Sequence, residues 1–282
     1  MLRGLYDPAL TYKKGHKEKV LNFQHMKYQI AAITHPGTGE DNQDNFFCNG
    51  IFKKSHEEPE CEVKILSYCK DRNIFAVFDG IGGLYDGGSA ALTACEALYD
   101  TSWVNGADIG AALLEADKNI MTASVRSGRQ MGSTCVIVEE KAGRFRSWNV
   151  GDSRAYYYSE GRLLQISRDH TEAENARTIQ GITGEPFHIP DKYEHTLTQY
   201  LGADKSLYSA EPFASEWMNM GEGCMILLCS DGLYDFVDNE TTISILREEK
   251  SALNKCRDLI EAAITNNSID DITVVLIEDE HK

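Results

Sequence analysis

Short continuous apolar runs and helical stripes follow one another along the chain. The apolar runs predict buried strands, because Val, Ile and Phe suit a pleated, packed surface; the main runs cover residues 28–34, 73–78, 224–229 and 272–277. Elsewhere apolar residues recur at helical spacing, which predicts helices at residues 89–99 and 108–125. Thr171 followed three residues later by Glu174 fits a capping box, which predicts a helix at residues 173–180. Further helices are predicted at residues 239–246, after a cap at Asp238 or Asn239, and at residues 252–264. The chain therefore mixes strands with helices, and it shows no internal repeat.

Glycine-containing connections join short strands in the middle of the chain. Residues 134–138 and 144–150 flank one such connection, and residues 154–158 and 162–166 flank another. Each pair is predicted to form a hairpin, since a glycine in a short connection is typical of hairpin turns.

Two earlier strands, predicted at residues 61–68 and 73–78, are separated by a short polar connection and suggest a third hairpin. Sequential hairpins produce antiparallel sheets. The predicted fold class is therefore α+β, with two antiparallel sheets packed face to face and covered by helices.

Acidic residues stand at the ends of strands at five distant points of the chain. Asp79 and Asp231 each close an apolar run and precede a glycine, and Asp152 lies between the two central hairpins. Acids at residues 270–271 and 41–44 precede further apolar segments. An Asp-Gly pair alone is a common turn, but five such acids are better explained by one shared site.

Converged carboxylates repel one another and lose their hydration, so a positive charge is needed among them. Hard divalent cations with oxygen ligands supply that charge. The sequence contains neither a His-Glu-x-x-His nor a Cys-x-x-Cys motif, so zinc has little support.

Composition narrows the choice of partners. The 282 residues carry 28 basic and 44 acidic side chains, a formal net charge of −16, which would repel nucleic acid and anionic lipid. We therefore expect neither a nucleic-acid nor a membrane partner.

Eight scattered cysteines favour reduced, buried thiols. We expect a cytoplasmic monomer with an N-terminal extension at residues 1–26 and one domain at residues 27–280.

Eight motifs in this order resemble the metal-dependent serine/threonine protein phosphatases of type 2C, and the short bacterial members most closely. The matching segments lie at residues 42–44, 77–83, 132–134, 150–156, 169–171, 197–202, 228–233 and 270–275. Each motif is weak alone, and their common order carries the resemblance.

The resemblance implies a four-layer αββα sandwich with two magnesium or manganese ions at one edge. Asp79 would bridge both ions, and Gly80 would offer its backbone carbonyl to one of them. Asp231 and Asp270 would complete the first ion's ligands, and Asp44 would act at or behind the second.

A third, weaker ion would bind between Asp152 and Asp231, as in bacterial members. Asp270 is preferred to Asp271 because it takes the acid position of the family's Asp-x-Ile-Thr pattern. The implied activity is hydrolysis of phosphoserine or phosphothreonine in a phosphoprotein, by a hydroxide held between the two ions. No side chain is assigned as a nucleophile; Cys229 and Ser230 are interpreted as strand residues.

Two positions depart from the family's pattern. An arginine that grips the substrate phosphate in the family is replaced here by Gly39, beside Glu40. Lys53, Lys54 or Arg168 could substitute for it. Ile81 stands where some members have a proton-donating histidine.

Three functions therefore remain open: an active phosphoprotein phosphatase, a metal-binding pseudophosphatase that recognises a partner without efficient turnover, and a hydrolase of small phosphate esters. The retained acids favour the first, because so many carboxylates make little physical sense together without ions. The missing arginine motivates the other two.

Overall fold

Two antiparallel sheets lie at the centre of the computed structural model, which describes residues 11–12, 28–38, 41–55, 58, 60–65, 72–81, 86–203, 210–221 and 223–279. Within these residues the first sheet contains, in spatial order, β1 (Thr11–Tyr12), β4 (Cys61–Ile65), β2 (Tyr28–His35), β13 (Ile272–Asp279), β12 (Met225–Cys229), β8 (Arg154–Ser159) and β9 (Arg162–Gln165). The second contains β10 (Phe213–Ala214), β7 (Arg144–Val150), β6 (Cys135–Lys141), β5 (Asn73–Phe78) and β3 (Asn45–Cys48), and β11 (Met218–Asn219) also pairs with β7.

The helices of the described residues are α1 (Gly87–Leu98), α2 (Ile109–Ser127), α3 (Glu172–Thr183), α4 (Asp231–Tyr234), α5 (Asn239–Arg247) and α6 (Ala252–Thr265). α1 and α2 cover the outer face of the second sheet, and α5 and α6 cover that of the first. A π-helical turn, Tyr99–Val104, joins α1 to α2, and a 3₁₀ turn covers Asp191–Tyr193.

Side-chain caps explain where most of these helices begin. The N-cap side chain accepts a hydrogen bond from a backbone N–H three residues later at Asp86, Asp108, Thr171, Asp238 and Ser251. Each cap satisfies a donor that the first helical turn leaves free. The cap predicted at Thr171, with Glu174 three residues on, is confirmed.

Alternation along the strands builds three hydrophobic layers. In β5, Phe75 and Val77 face the other sheet, while Ile74, Ala76 and Phe78 face α1 and α2. The strand is therefore apolar on both faces, which explains why its sequence reads as one continuous run. In the same way, β12 contributes to the layer between the sheets and to a third layer beneath α5 and α6.

The predicted α+β sandwich with helices outside two face-to-face antiparallel sheets is confirmed. Two of the three predicted hairpins are also confirmed, β6 with β7 and β8 with β9. Their turns, Ala142-Gly143 and Glu160-Gly161, hold all four residues at positive φ, the geometry of two-residue hairpin turns. Both turns lie at the end of the sandwich opposite to the one where β5 ends.

The third predicted hairpin is wrong. β4 pairs with β2 and β1 in the first sheet, whereas β5 lies between β3 and β6 in the second. Both faces and both edges of β5 are thus occupied by other elements, and a short connection alone did not reveal the change of sheet.

One piece of the predicted N-terminal extension belongs to a sheet. Thr11–Tyr12 pairs with β4, with Thr11 opposite Lys64 and Tyr12 opposite Val63. Residues 1–10 and 13–27 lie outside the described residues, and the boundary between residues 26 and 27 stays a prediction.

Cysteine usage agrees with the expectation of reduced thiols. Seven buried cysteines form no disulfide among the described residues: Cys48, Cys61, Cys95, Cys135, Cys224, Cys229 and Cys256. Cys69 lies outside the described residues.

Gly232 provides a test of how tightly the ends of β12 and β13 are packed. A Cβ at this position would lie 2.1 Å from the backbone carbonyl oxygen of Asp271, so Gly232→Ala is expected to lower the free energy of unfolding by about 1–3 kcal/mol. Gly181→Ala is the matched control, because a Cβ there meets nothing within 4 Å. In α3 the control should raise that free energy by about 0.5–1 kcal/mol. Urea unfolding of both variants measures the difference, and equal stabilities would contradict the tight contact.

Candidate metal centre

Five acidic segments meet at one edge of the sandwich. Asp79 directly follows β5, and Asp231 closely follows β12. Asp44, Asp152 and Asp270 closely precede β3, β8 and β13. In antiparallel sheets the end of one strand lies beside the start of its neighbour, so acids that follow some strands and precede others collect at the same edge.

The strand register confirms this arrangement. Phe78, the last residue of β5, lies opposite Asn45, the first residue of β3. Cys229, the last residue of β12, lies opposite Arg154 on one side and Val274 on the other. The residues next to these pairs therefore project from the same end of both sheets.

Asp79 and Asp231 form the centre of this group. Their side chains lie within hydrogen-bonding reach, and burial raises the pKa of Asp231 to about 7, aided by the charge of Asp270. Burial also holds the pKa of Asp79 well above its usual range, with Asp231, Asp44, Asp152 and Asp270 each adding to the effect. Five acids from distant segments thus lie close enough to affect one another; Asp44, Asp79, Asp152 and Asp231 are poorly solvated, whereas Asp270 is exposed.

Asp152 occupies the connection between β7 and β8. It is buried, and burial raises its pKa to about 8, with the charges of Asp231 and Asp169 contributing. Arg154 opposes this shift; its guanidinium donates to Asp169 at 2.7 and 3.0 Å and lies over the Tyr234 ring at 3.7 Å.

Asp44 lies deeper than the others, with 1% of its surface exposed. Burial and the charge of Asp271 hold its pKa well above the usual range, while hydrogen bonds from Thr273 and Ser230 oppose the shift. The Ser230 hydroxyl donates to Asp44 Oδ2 at 2.7 Å and accepts from the Thr273 backbone N–H at 2.9 Å.

The two adjacent acids, Asp270 and Asp271, have different surroundings. Asp270 is exposed and raises the pKa values of Asp79 and Asp231. Asp271 accepts the Gln43 backbone N–H at 2.7 Å, and burial raises its pKa to about 6. These contacts support the preference for Asp270 as the ligand, which stays a prediction.

Oxygen-rich, negatively charged surroundings suit a hard divalent cation. No three His, Cys, Asp or Glu side chains in the described part of the chain are spaced as a complete metal cage, so backbone carbonyls and water would have to complete each shell. A cation between Asp79 and Asp231 would stabilise the ionised form of both carboxyl groups, whose pKa values are raised by burial and by neighbouring acids. The donor set therefore fits magnesium or manganese, although the ligand assignments stay predictions.

The Gly80 carbonyl is the only backbone ligand that the resemblance implies. Gly80 is buried against Gly87 at the start of α1, where an added Cβ would lie 2.4 Å from the Gly87 carbonyl carbon. The backbone N–H of Thr134 donates to the carbonyl of Asp79 at 2.8 Å. These contacts hold the 79–80 segment in a fixed position beside the acids.

The three basic residues suggested as phosphate ligands are engaged elsewhere. Lys53 is 1% exposed, and its Nζ donates to the Asn42 carbonyl at 2.8 Å. Lys54 lies 3.3 Å above the Phe52 ring, and Arg168 contacts Glu174 and Thr178. Gly39 and Glu40 lie outside the described residues, so the predicted loss of the phosphate-binding arginine stays a prediction.

The sequence analysis did not predict the supporting roles of three residues around Asp44. Ser230, interpreted as a strand residue, is the N-cap residue of α4 and holds Asp44. Thr273 and Lys53 flank the same acid. Their residue types are common in strands and loops, and only their position behind Asp44 marks them.

Comparison with known proteins agrees with this geometry. Residues 61–267 match the model of the family described as Protein phosphatase 2C. The chain belongs to the protein phosphatase 2C family. The prediction that it is an enzyme of the protein phosphatase class is thereby confirmed at the level of the family.

Individual phosphatases of this family match over different lengths. Probable protein phosphatase 2C 10 of Arabidopsis thaliana is 27% identical over 270 residues, which cover 87% of this chain and 93% of that protein. Probable protein phosphatase 2C member 13, mitochondrial, of Oryza sativa subsp. japonica is 27% identical, and the match covers 74% of this chain but 60% of that protein.

A solved structure, the catalytic domain of the serine/threonine protein phosphatase PstP in complex with two manganese ions, has a TM-score of 0.68 and 23% identity. The match covers 90% of this chain and 99% of that one, and it shows that the two proteins share a fold.

Within the described residues, no helix is both long enough and apolar enough to cross a bilayer.

His170 gives the site region a testable dependence on pH. Burial lowers its pKa from 6.5 to about 4, and the backbone N–H of Gly151 donates to its Nδ1 at 3.3 Å. Below pH 6.5 the imidazole of His170 is protonated in the unfolded chain, but in the folded protein it stays neutral down to about pH 4. His170 therefore lowers the free energy of unfolding as the pH falls from 6.5 to 4.

His170→Asn keeps an acceptor near Nδ1 but cannot titrate. In metal-free protein at pH 5, the variant should escape a destabilisation of about 2 kcal/mol relative to pH 7. Urea unfolding of both proteins at the two pH values measures this. Identical pH dependence in wild type and variant would show that His170 is not held neutral.

Proposed function

We propose that this phosphatase is a metal-dependent serine/threonine phosphoprotein phosphatase that uses two manganese or magnesium ions, with a weaker third site at Asp152. The observation that carries the proposal is the mutual effect of Asp44, Asp79, Asp152, Asp231 and Asp270, because each of the other four raises the pKa of Asp79. Such a cluster is expected where cations neutralise it.

The proposed ligands divide along the edge of the sandwich. Asp79 would bridge the two ions, and the Gly80 carbonyl would contact one of them. Asp231 and Asp270 would complete the first site, and Asp44 would support the second from behind. Once bound, the ions would supply an activated water and neutralise the phosphoryl oxygens.

The chain's own residues position this chemistry. Ser230 fixes one carboxylate oxygen of Asp44 through its 2.7 Å hydrogen bond. Asp271 fixes the backbone of Gln43, next to Asp44. These contacts restrict the movement of the acids, so that the carboxylates would already be positioned before the substrate binds.

The proposed substrate is a phosphoserine or phosphothreonine in a protein, and the proposed setting is cytoplasmic signalling. A net charge of −16 favours substrates whose flanking residues are basic or neutral. Ile81 cannot donate a proton, so solvent is the proposed acid for the leaving group.

A pseudophosphatase is the alternative, because the family's phosphate-binding arginine is missing. The buried Lys53 already donates to the Asn42 carbonyl, and the exposed Lys54 and Arg168 contact neighbouring side chains. An enzyme of this kind would bind metal and a phosphoprotein but release little phosphate. Activity measurements distinguish the two functions.

Asp79→Asn is the decisive variant. With manganese, the wild type should hydrolyse both p-nitrophenyl phosphate and a phosphothreonine peptide, and the variant should lose on the order of 100-fold in kcat/KM on each. Asp258→Asn is the control, because Asp258, on α6, forms its ion pair with Lys250. It should retain wild-type activity. Hydrolysis of the small ester alone would favour a phosphate-ester hydrolase, and metal binding without turnover would favour the pseudophosphatase.

Stability provides a second, independent measurement on the same variant. A carboxyl group whose pKa is raised in the folded state destabilises the fold when it is ionised at pH 7.5. Asp79→Asn should therefore have a metal-free melting temperature at least as high as that of wild type, but a smaller rise when manganese is added. Lower stability of the metal-free variant would show that Asp79 supports the fold and not a cation site.

A further inference from the structure

Lys53 is a buried cation immediately behind the acid cluster. Lys53 is only 1% exposed, and its Nζ donates to the backbone carbonyl of Asn42 at 2.8 Å. The Asn45 side chain holds the Lys53 backbone at both polar groups, accepting from its N–H and donating to its carbonyl at 3.0 Å each. The lysine is thus built into the protein interior and is not a flexible surface group.

Two nearby acids, Asp44 and Asp271, explain why Lys53 is tolerated in the protein interior. Burial lowers the pKa of Lys53, and the charges of Asp44 and Asp271 are the two largest opposing effects. Lys53 in turn lowers the pKa of Asp271. An isolated charge in this position would be costly, and nearby opposite charges offset much of that cost.

The lysine also contacts the loop that carries Asp44. Asn42 accepts from Lys53 Nζ with its backbone carbonyl, accepts the Asp44 backbone N–H at 2.9 Å with its side-chain oxygen, and donates its side-chain amide to Thr34 at 2.8 Å. Lys53 therefore acts on Asp44 both through charge and through the backbone of Asn42.

We propose that Lys53 is an internal counter-charge that holds the loop of Asp44 against the repulsion of the acid cluster until cations bind. Lys53 is a positioning residue in this role, since its ammonium group faces protein and not the open edge. The inference rests on the metal site of the proposed function, but its main consequence concerns the metal-free protein. Lys53 should matter most when the cations are absent.

Lys255, on α6, supplies a matched control. It is also buried, at 2% exposure, and its Nζ lies 2.9 Å from Glu278 Oε1. Met225 lies opposite Glu278 in the register, at the start of β12 and near the end of β13, which is the end of these strands away from Asp231 and Asp270. Removing either lysine deletes a buried cation, but only one of them lies beside the acid cluster.

The test compares Lys53→Met with Lys255→Met by thermal unfolding, first with EDTA and then with saturating manganese. Lys53→Met should lower the melting temperature of the metal-free protein at least about twice as much as that of the manganese-bound protein. Lys255→Met should lower both by similar amounts. Equal losses in the two states for Lys53→Met would overturn the proposal. If manganese leaves the wild-type melting temperature unchanged, the metal site of the proposed function fails.

Asp44→Asn tests whether the loss of stability in Lys53→Met comes from the lost charge or from altered packing. In an Asp44→Asn background one negative charge is already gone, so adding Lys53→Met should cost the metal-free protein less than half of what it costs wild type. This arm uses EDTA alone and decides the role of Lys53 even if manganese does not bind. If Lys53→Met is insoluble, a soluble double variant supports the counter-charge, whereas an insoluble double variant would attribute the effect to packing and overturn it.

Discussion

Repulsion among carboxylates in a poorly solvated region is the constraint on which the rest of this structure depends. Asp79 and Asp231 approach within hydrogen-bonding reach. Burial raises the pKa values of both, and the charges of neighbouring acids add to the shift, chiefly Asp231 at Asp79 and Asp270 at Asp231. The sandwich must supply enough stability to hold them there. It does so with three apolar layers, in which strands such as β5 and β12 bury both faces.

Hydrogen bonds and neighbouring positive charges hold the acids in place. Ser230 and Thr273 act on Asp44, Asp271 holds the backbone of Gln43, and Arg154 lies beside Asp152. Positive charge is present on two sides of the cluster, buried at Lys53 and paired with Asp169 at Arg154. The acids are therefore restrained by the protein before any ion contributes, a form of preorganisation that lowers the cost of binding.

Local sequence signals predicted much of the fold. The turns at Gly143 and Gly161 and the cap at Thr171 depend on neighbouring residues, so their patterns were sufficient. The placement of β4 depends on which distant strand offers an open edge, and the connection to β5 carries no such information. The acids could be predicted as a group because strand ends are visible in the sequence, but the roles of Ser230 and Lys53 required knowledge of what lies behind Asp44.

The two-residue turns at Ala142-Gly143 and Glu160-Gly161 lie at the end of the sandwich away from the acids. The proposed metal centre and these two hairpin turns therefore lie at opposite ends of the sandwich. Extra residues inserted at the second end leave every acid at its place in the register, whereas a slip of one residue within a strand would turn its side chains to the opposite face. Insertions at the hairpin-turn end can therefore lengthen the protein without changing the positions of the acids at the other end.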